Sequence, residues 1–190
     1  SQWFYIPSWK RLPLPATKTE KSLGNILLFV DESGLGEQLA TPLIQLSEQV
    51  ICVKIGDSFT KQSEGIYTLN PTEPDDYKTL FNEIDAAGCF PDTIVHLWSV
   101  ALNIDSELIL EELGKSQDLG LHSLIFIAQA LGKHSLANGL QIIVVSNNLH
   151  EVIGDEVVYP EKATLLGAVE TIPLEYPNVS CRSVDVIFSQ

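Results

Sequence analysis

Two places in the sequence carry residue types that could do chemistry. The first is Asp31-Glu32-Ser33-Gly34-Leu35-Gly36, directly after the apolar run Ile26 to Val30. Gly34 and Gly36 begin a Gly-x-Gly-x-x-Gly turn, in which backbone N–H groups at a helix N-terminus cradle a pyrophosphate. Leu39 occupies the third glycine's place, and the carboxylates of Asp31, Glu32 and Glu37 would repel the phosphates. Pro42 falls where the following helix should be under way, so that helix is expected to kink or to start late, capped by Thr41. The Gly34 and Gly36 turn is therefore expected to be degenerate, kept for backbone geometry, with no cofactor bound.

The second place is Ser146, which ends the run Ile142 to Val145, with Tyr159 and Lys162 after it. Carbonyl reduction by a tyrosine acid needs Tyr-x-x-x-Lys, four apart on one helix face, plus a serine at a strand end. Tyr159 and Lys162 are only three apart with Pro160 between them, and Ala163 stands at the required spot. Tyr5, Tyr67, Tyr77 and Tyr176 have Trp9, Pro71, Phe81 and Ser180 there. Tyr159 thus reads as a helix-entrance residue, and Ser146-Asn147-Asn148 as a turn that ends a strand.

Other chemistry is thinner. There is no Gly-x-Ser-x-Gly elbow and no Gly-x-x-x-x-Gly-Lys loop. Cys52, Cys89 and Cys181 are far apart and odd in number, and with His96, His122, His134 and His150 they form no metal-ligand spacing. The thiols read as small hydrophobes in a reducing cytosol. His96, inside an apolar run, reads as a hydrogen-bonded core residue, and Trp98 as core or interface packing. Neither a catalytic nor a metal-binding residue is assigned.

The elements around these residues alternate. Apolar runs at 26–30, 50–53, 93–98, 142–145 and 184–187, with a weaker one at 66–69, suit strands buried on both faces of a parallel sheet. Segments 43–49, 75–87, 107–113, 121–131 and 161–172 carry apolar residues at helical spacing. That order predicts a truncated Rossmann-like, doubly wound parallel α/β sheet. Ahead of it, residues 1–24 are expected to form a strand around Trp3 to Lys10 and a Pro-rich linker, leaving 25–190 as one subdomain.

The totals narrow the function. The 190 residues are 45% hydrophobic and 19% charged, as in an ordinary globular domain. A net charge of −14 disfavours nucleic acid and anionic membranes as partners. No apolar run reaches the ~20 residues of a membrane helix, so a cytoplasmic location is expected. The sequence contains no methionine, so it is expected to be cut from something longer.

Four segments, in order, carry a resemblance. Trp3-Phe4-Tyr5-Ile6-Pro7-Ser8-Trp9-Lys10-Arg11 resembles the segment after the acyltransferase region of modular polyketide synthases. Leu28 to Gly36 and Ile94 to Ser99 resemble the start and a central strand of the structural subdomain of their ketoreductase domains, and Glu175 to Val186 the stretch that closes it. The resemblance implies a short-chain-dehydrogenase-like half that has lost cofactor and catalytic residues. It implies a downstream catalytic subdomain that carries NADPH and reduces β-ketoacyl groups on acyl carrier protein, which this half would meet only indirectly. Other synthase domains would be its further partners. The aromatic residues Trp3, Phe4, Tyr5 and Trp9 are the expected interface. The alternatives are a pseudo-ketoreductase scaffold for a neighbouring methyltransferase or enoylreductase, and a free-standing reductase with an atypical site at Ser146, Tyr159 and Lys162.

Overall fold

The strongest apolar run becomes the centre of the sheet. In a computed structural model describing residues 8–13, 22–100, 109–136 and 138–187, Asn25–Phe29 (β1) is buried on both faces and pairs in parallel with Gln49–Ile55 (β2) and Thr93–Ser99 (β5). Beyond β2 lie Ile66–Leu69 (β4) and then Thr60–Ser63 (β3); beyond β5 lie Leu140–Asn147 (β6) and Val179–Val186 (β7). The sheet order is β3-β4-β2-β1-β5-β6-β7. Only β3 runs antiparallel to its neighbour. The order reverses between β1 and β5, which makes their C-terminal ends the crevice where ligands lie in such sheets.

Helices cover both faces. Leu35–Leu46 (α1) packs over β1 and β2, with Leu35, Leu39 and Leu43 against Ile26, Leu28 and Leu97. On the other face lie Pro74–Ala86 (α2), Ser123–Leu131 (α4) and Thr164–Glu175 (α5), over a larger core. That core is aromatic at its centre. Phe29 meets Trp98 edge-on at 5.0 Å between ring centroids, and Tyr77 stacks beside Phe29 at 6.5 Å. The Tyr77 hydroxyl donates to Pro71 O at 2.9 Å, so its burial leaves no orphaned donor.

Several expected elements differ in detail. α1 starts at Leu35 and runs through Pro42 without a late start. Pro42 sits on the exposed face, where water can serve the carbonyl whose helical partner it removes. The short polar β3, Thr-Lys-Gln-Ser, carries no apolar signal because it is an exposed edge. The expected helix at 107–113 is Ile109–Gln117 (α3), and it continues into α4 through a wide π turn, Asp118–His122. There Gly120 lies so close to β5 that an added Cβ would sit 3.3 Å from Ser99 Oγ. β7 starts at Val179, five residues before the apolar run that marked it, and its alternating burial is that of an edge strand. Residues 8–13 form neither helix nor strand. The rest of the expected N-terminal strand, Trp3 to Pro7, lies outside the described residues.

Candidate functional site

At the C-terminal end of β1 the chain turns through Gly34, whose φ of +91° favours glycine, and enters α1. The first N–H groups of a helix have no partner within it. Here Asp31 supplies one. Its Oδ1 accepts from Gly36 N at 2.6 Å; its Oδ2 accepts from Ser33 N at 2.9 Å, from Leu35 N at 3.2 Å and from the Ser33 hydroxyl. Asp31 is only 6% exposed. Gly36 is packed against it: an added Cβ would lie 3.0 Å from Asp31 Oδ1, 2.9 Å from Val30 and 3.0 Å from Leu97.

Beside the turn is an open cavity of about 350 Å³, lined by Asp31, Glu32, Glu37, Lys54 and the ends of β1 and β2. Its one lysine is paired with Glu37 at 3.2 Å. Both partners are substantially exposed, so the pair contributes at most ~1 kcal/mol and its main effect is to offset a positive charge.

The end of β6 is likewise closed on itself. Ser146 is fully buried and its hydroxyl donates to Asp185 Oδ1 at 3.1 Å. The other Asp185 oxygen accepts from Leu149 N and His150 N, both at 3.0 Å, and pins the loop that leaves β6. Lys162, 4% exposed, donates from Nζ to Asn147 Oδ1 at 2.7 Å and Asn147 O at 3.0 Å. Its ammonium lies 5.1 Å from the centre of the Tyr159 ring. Tyr159 caps a single 3₁₀ turn, Pro160–Ala163, ahead of α5. Ser146, Tyr159 and Lys162 therefore surround one strand end, with the serine and the lysine each committed to an internal partner.

Burial pushes the Lys162 ammonium down to about 8, with Glu161 and Asp185 acting the other way. The fold thus favours the neutral amine. Above about pH 8 the unfolded chain holds more protons than the folded one, so stability rises with pH through that window. Between about pH 7.5 and 9.5 the rise is expected to be about 2 kcal/mol from this group. Urea unfolding of wild type and Lys162→Met at both pH values checks it. The lysine's role is refuted if the variant keeps the full rise.

Of the expected interface residues, Trp3, Phe4 and Tyr5 lie outside the described residues. Trp9 is 57% exposed, donates from Nε1 to Glu151 O at 2.8 Å and sets its ring against His150 at 5.0 Å. It is thereby joined to the loop after β6, where Val152, Ile153 and Val157 are also exposed. Sequence reasoning missed two residues that organise these sites. Asp31 was legible only as a repulsive charge, although an aspartate ahead of a Gly-x-Gly turn is also a capping signal. Asp185 lies 39 residues from Ser146, and no local pattern links them.

Strand order, the β1–α1 turn and the serine at the end of β6 define a Rossmann-like fold of the short-chain dehydrogenase type. The chain belongs to the beta-ketoacyl synthase-like, N-terminal family, whose model matches residues 24–189. No curated protein sequence matches it. Among solved structures it resembles a multidomain structure of the adenylation, ketoreductase and pseudo Asub regions of a keto acid-selecting NRPS module (27% identity, TM-score 0.82, 94% of this chain covered). It also resembles an N-terminal ketoreductase from the macrolactin assembly line (21% identity, TM-score 0.69, 95% covered). A short-chain dehydrogenase from Leptospira borgpetersenii with bound NAD+ shares the fold at 14% identity, with a TM-score of 0.66, 97% of this chain and 80% of that one covered. The chain spans 14% of the first structure's length and 34% of the second's. These matches bear out the resemblance carried by the sequence motifs.

A dinucleotide, as bound in the third of these structures, does not fit the residues of the β1–α1 turn. The Leu35 and Gly36 N–H groups that would face its phosphates are bonded to Asp31, and Glu32 and Glu37 also face the cavity.

Proposed function

We propose that this chain is the non-catalytic structural half of an assembly-line ketoreductase. It supports a catalytic half that binds NADPH and reduces β-ketoacyl groups carried on acyl carrier protein. The observation that carries this reading is the closed end of β6, where Ser146 and Lys162 are bonded to Asp185 and Asn147 and have no hydroxyl proton or ammonium directed at a substrate. Similarity to ketoreductase-containing modules of assembly lines supports the same reading. The chain acts by holding its partner's geometry. Trp9 and the exposed Val152, Ile153 and Val157 beside it offer the apolar contact, and the aromatic side chains of Trp3, Phe4 and Tyr5 are proposed as further anchors on sequence grounds alone.

The test is a calorimetric titration of the 190-residue chain with NADPH to about millimolar levels, where the diffuse affinity of an unbuilt site gives no saturation. No saturable heat is expected, and saturation at micromolar cofactor would overturn the reading. In the parent synthase, Ser146→Ala is expected to leave β-ketoacyl reduction intact.

A further inference from the structure

The fold implies a nucleotide at the end of β1, and the residues there do not fit one. From that disagreement we infer that Asp31 is a built-in replacement for the nucleotide phosphate: its carboxylate holds the β1–α1 turn in the shape that a bound anion would otherwise hold. The inference extends the structural-half reading without depending on which partner the chain supports.

Three observations carry it. A phosphate at a helix N-terminus is held by the first backbone N–H groups and by the positive end of the helix dipole. Asp31 presents an anion to that place from within the chain: its two oxygens take the N–H groups of Ser33, Leu35 and Gly36 together with the Ser33 hydroxyl. Charge-assisted bonds of this kind are roughly twice as strong as neutral ones. While Asp31 is in place, the surroundings close around its carboxylate and leave no room for a second anion beside it. Gly36 has no space for a Cβ between Asp31, Val30 and Leu97, and Asp31 itself is buried. Third, the remaining positive charge beside the turn, Lys54, is paired with Glu37, while Lys115 pairs with Glu32 at 3.7 Å. With both lysines paired, no free cation is left among the cavity-lining residues to attract a second anion.

The consequence is a turn whose folding is independent of nucleotide concentration. An ordinary nucleotide-binding domain gains stability from its ligand by mass action. This one carries the equivalent anion covalently, at an effective concentration that dilution cannot change.

Melting curves of the chain, of Asp31→Ala and of Asp31→Asn, each in chloride and in inorganic phosphate at matched ionic strength, test this. Asp31→Ala removes the anion and leaves its space. Its Tm is expected to fall by about 5–10 °C in chloride, and phosphate is expected to recover about half of that loss beyond any gain by wild type. Asp31→Asn keeps the volume but not the charge. It is expected to lose a few degrees, about half as much, and to gain no more from phosphate than wild type does. Asp31→Asn melting with wild type would overturn the proposal, even if the alanine variant failed to fold. So would Asp31→Ala gaining no more from phosphate than wild type. NADPH binding by wild type would overturn the proposed function instead, and leaves the anion rescue to be scored separately.

Discussion

Acidifying the protein from about pH 6.5 to about pH 3 is expected to remove about 4 kcal/mol of stability through His96 alone. The ring is fully buried between Phe29 at 5.3 Å and Trp98 at 5.5 Å. Its only polar contact among the described residues is Ser123 Oγ, 3.0 Å from Nε2. The Ser123 hydroxyl has one proton and places it on Leu119 O at 2.7 Å. With that proton on Leu119 O the oxygen accepts from Nε2–H, the tautomer that leaves a lone pair and not an N–H unpaired at the buried Nδ1. An imidazolium would need a second acceptor at Nδ1, and none of the described residues supplies one. Burial accordingly pushes the ring down from 6.5 to about 3.

The sign follows from proton counting. Across that window the unfolded imidazole binds a proton and the folded one does not, so unfolding takes up a proton and stability falls as pH falls. Carboxylates throughout the chain add their own acid dependence, so the measurement is a difference. His96→Gln keeps an N–H donor for Ser123 and cannot titrate. Urea midpoints of wild type and variant, taken between about pH 7 and pH 4, should converge as the pH drops. Parallel curves would mean that His96 titrates normally and that the pocket admits water.

The buried histidine also marks how much the sequence disclosed. His96 lies in an unbroken apolar run, and that run alone identified a strand covered on both faces and a core histidine. The same signal located β1, β2, β5 and β6, because parallel central strands have no solvated face to interrupt them. It failed for β3, whose four polar residues make an edge, and for most of β7, whose outward positions are polar. The candidate site divides in the same way. The missing Tyr-x-x-x-Lys and the broken glycine turn are local patterns and were legible. What fills their places was not: Ser146 meets Asp185 across adjacent strands, and Lys162 reaches back 15 residues to Asn147. Such pairings follow from strand register, which the linear sequence does not display.

Replacing Trp98 with alanine is the second large effect, about 4–6 kcal/mol. Trp98 stands one residue from the end of β5, and its indole Nε1 donates to Val30 O, one residue past β1, at 3.1 Å. It thereby bridges the two strand ends at which the sheet order reverses. The indole is 3% exposed and meets Phe29 edge-on at 5.0 Å and Tyr77 at 6.5 Å. Truncation to alanine removes that packing, worth about 3–5 kcal/mol for a buried aromatic, and strands an acceptor worth a further ~1 kcal/mol or more. A domain holds only about 5–15 kcal/mol in total, so Trp98→Ala should unfold at very low urea or fail to accumulate. Trp98→Phe separates the two terms. It keeps most of the ring contact and frees Val30 O, so a loss of about 1–2 kcal/mol is expected. The contrast bears on function. An indole that lined a working ligand crevice would be dispensable for folding, and its loss would be felt only when ligand was present. If Trp98→Ala instead keeps wild-type stability in urea, the crevice between β1 and β5 is open enough to hold a ligand, and the structural-half reading loses its support at that end of the sheet.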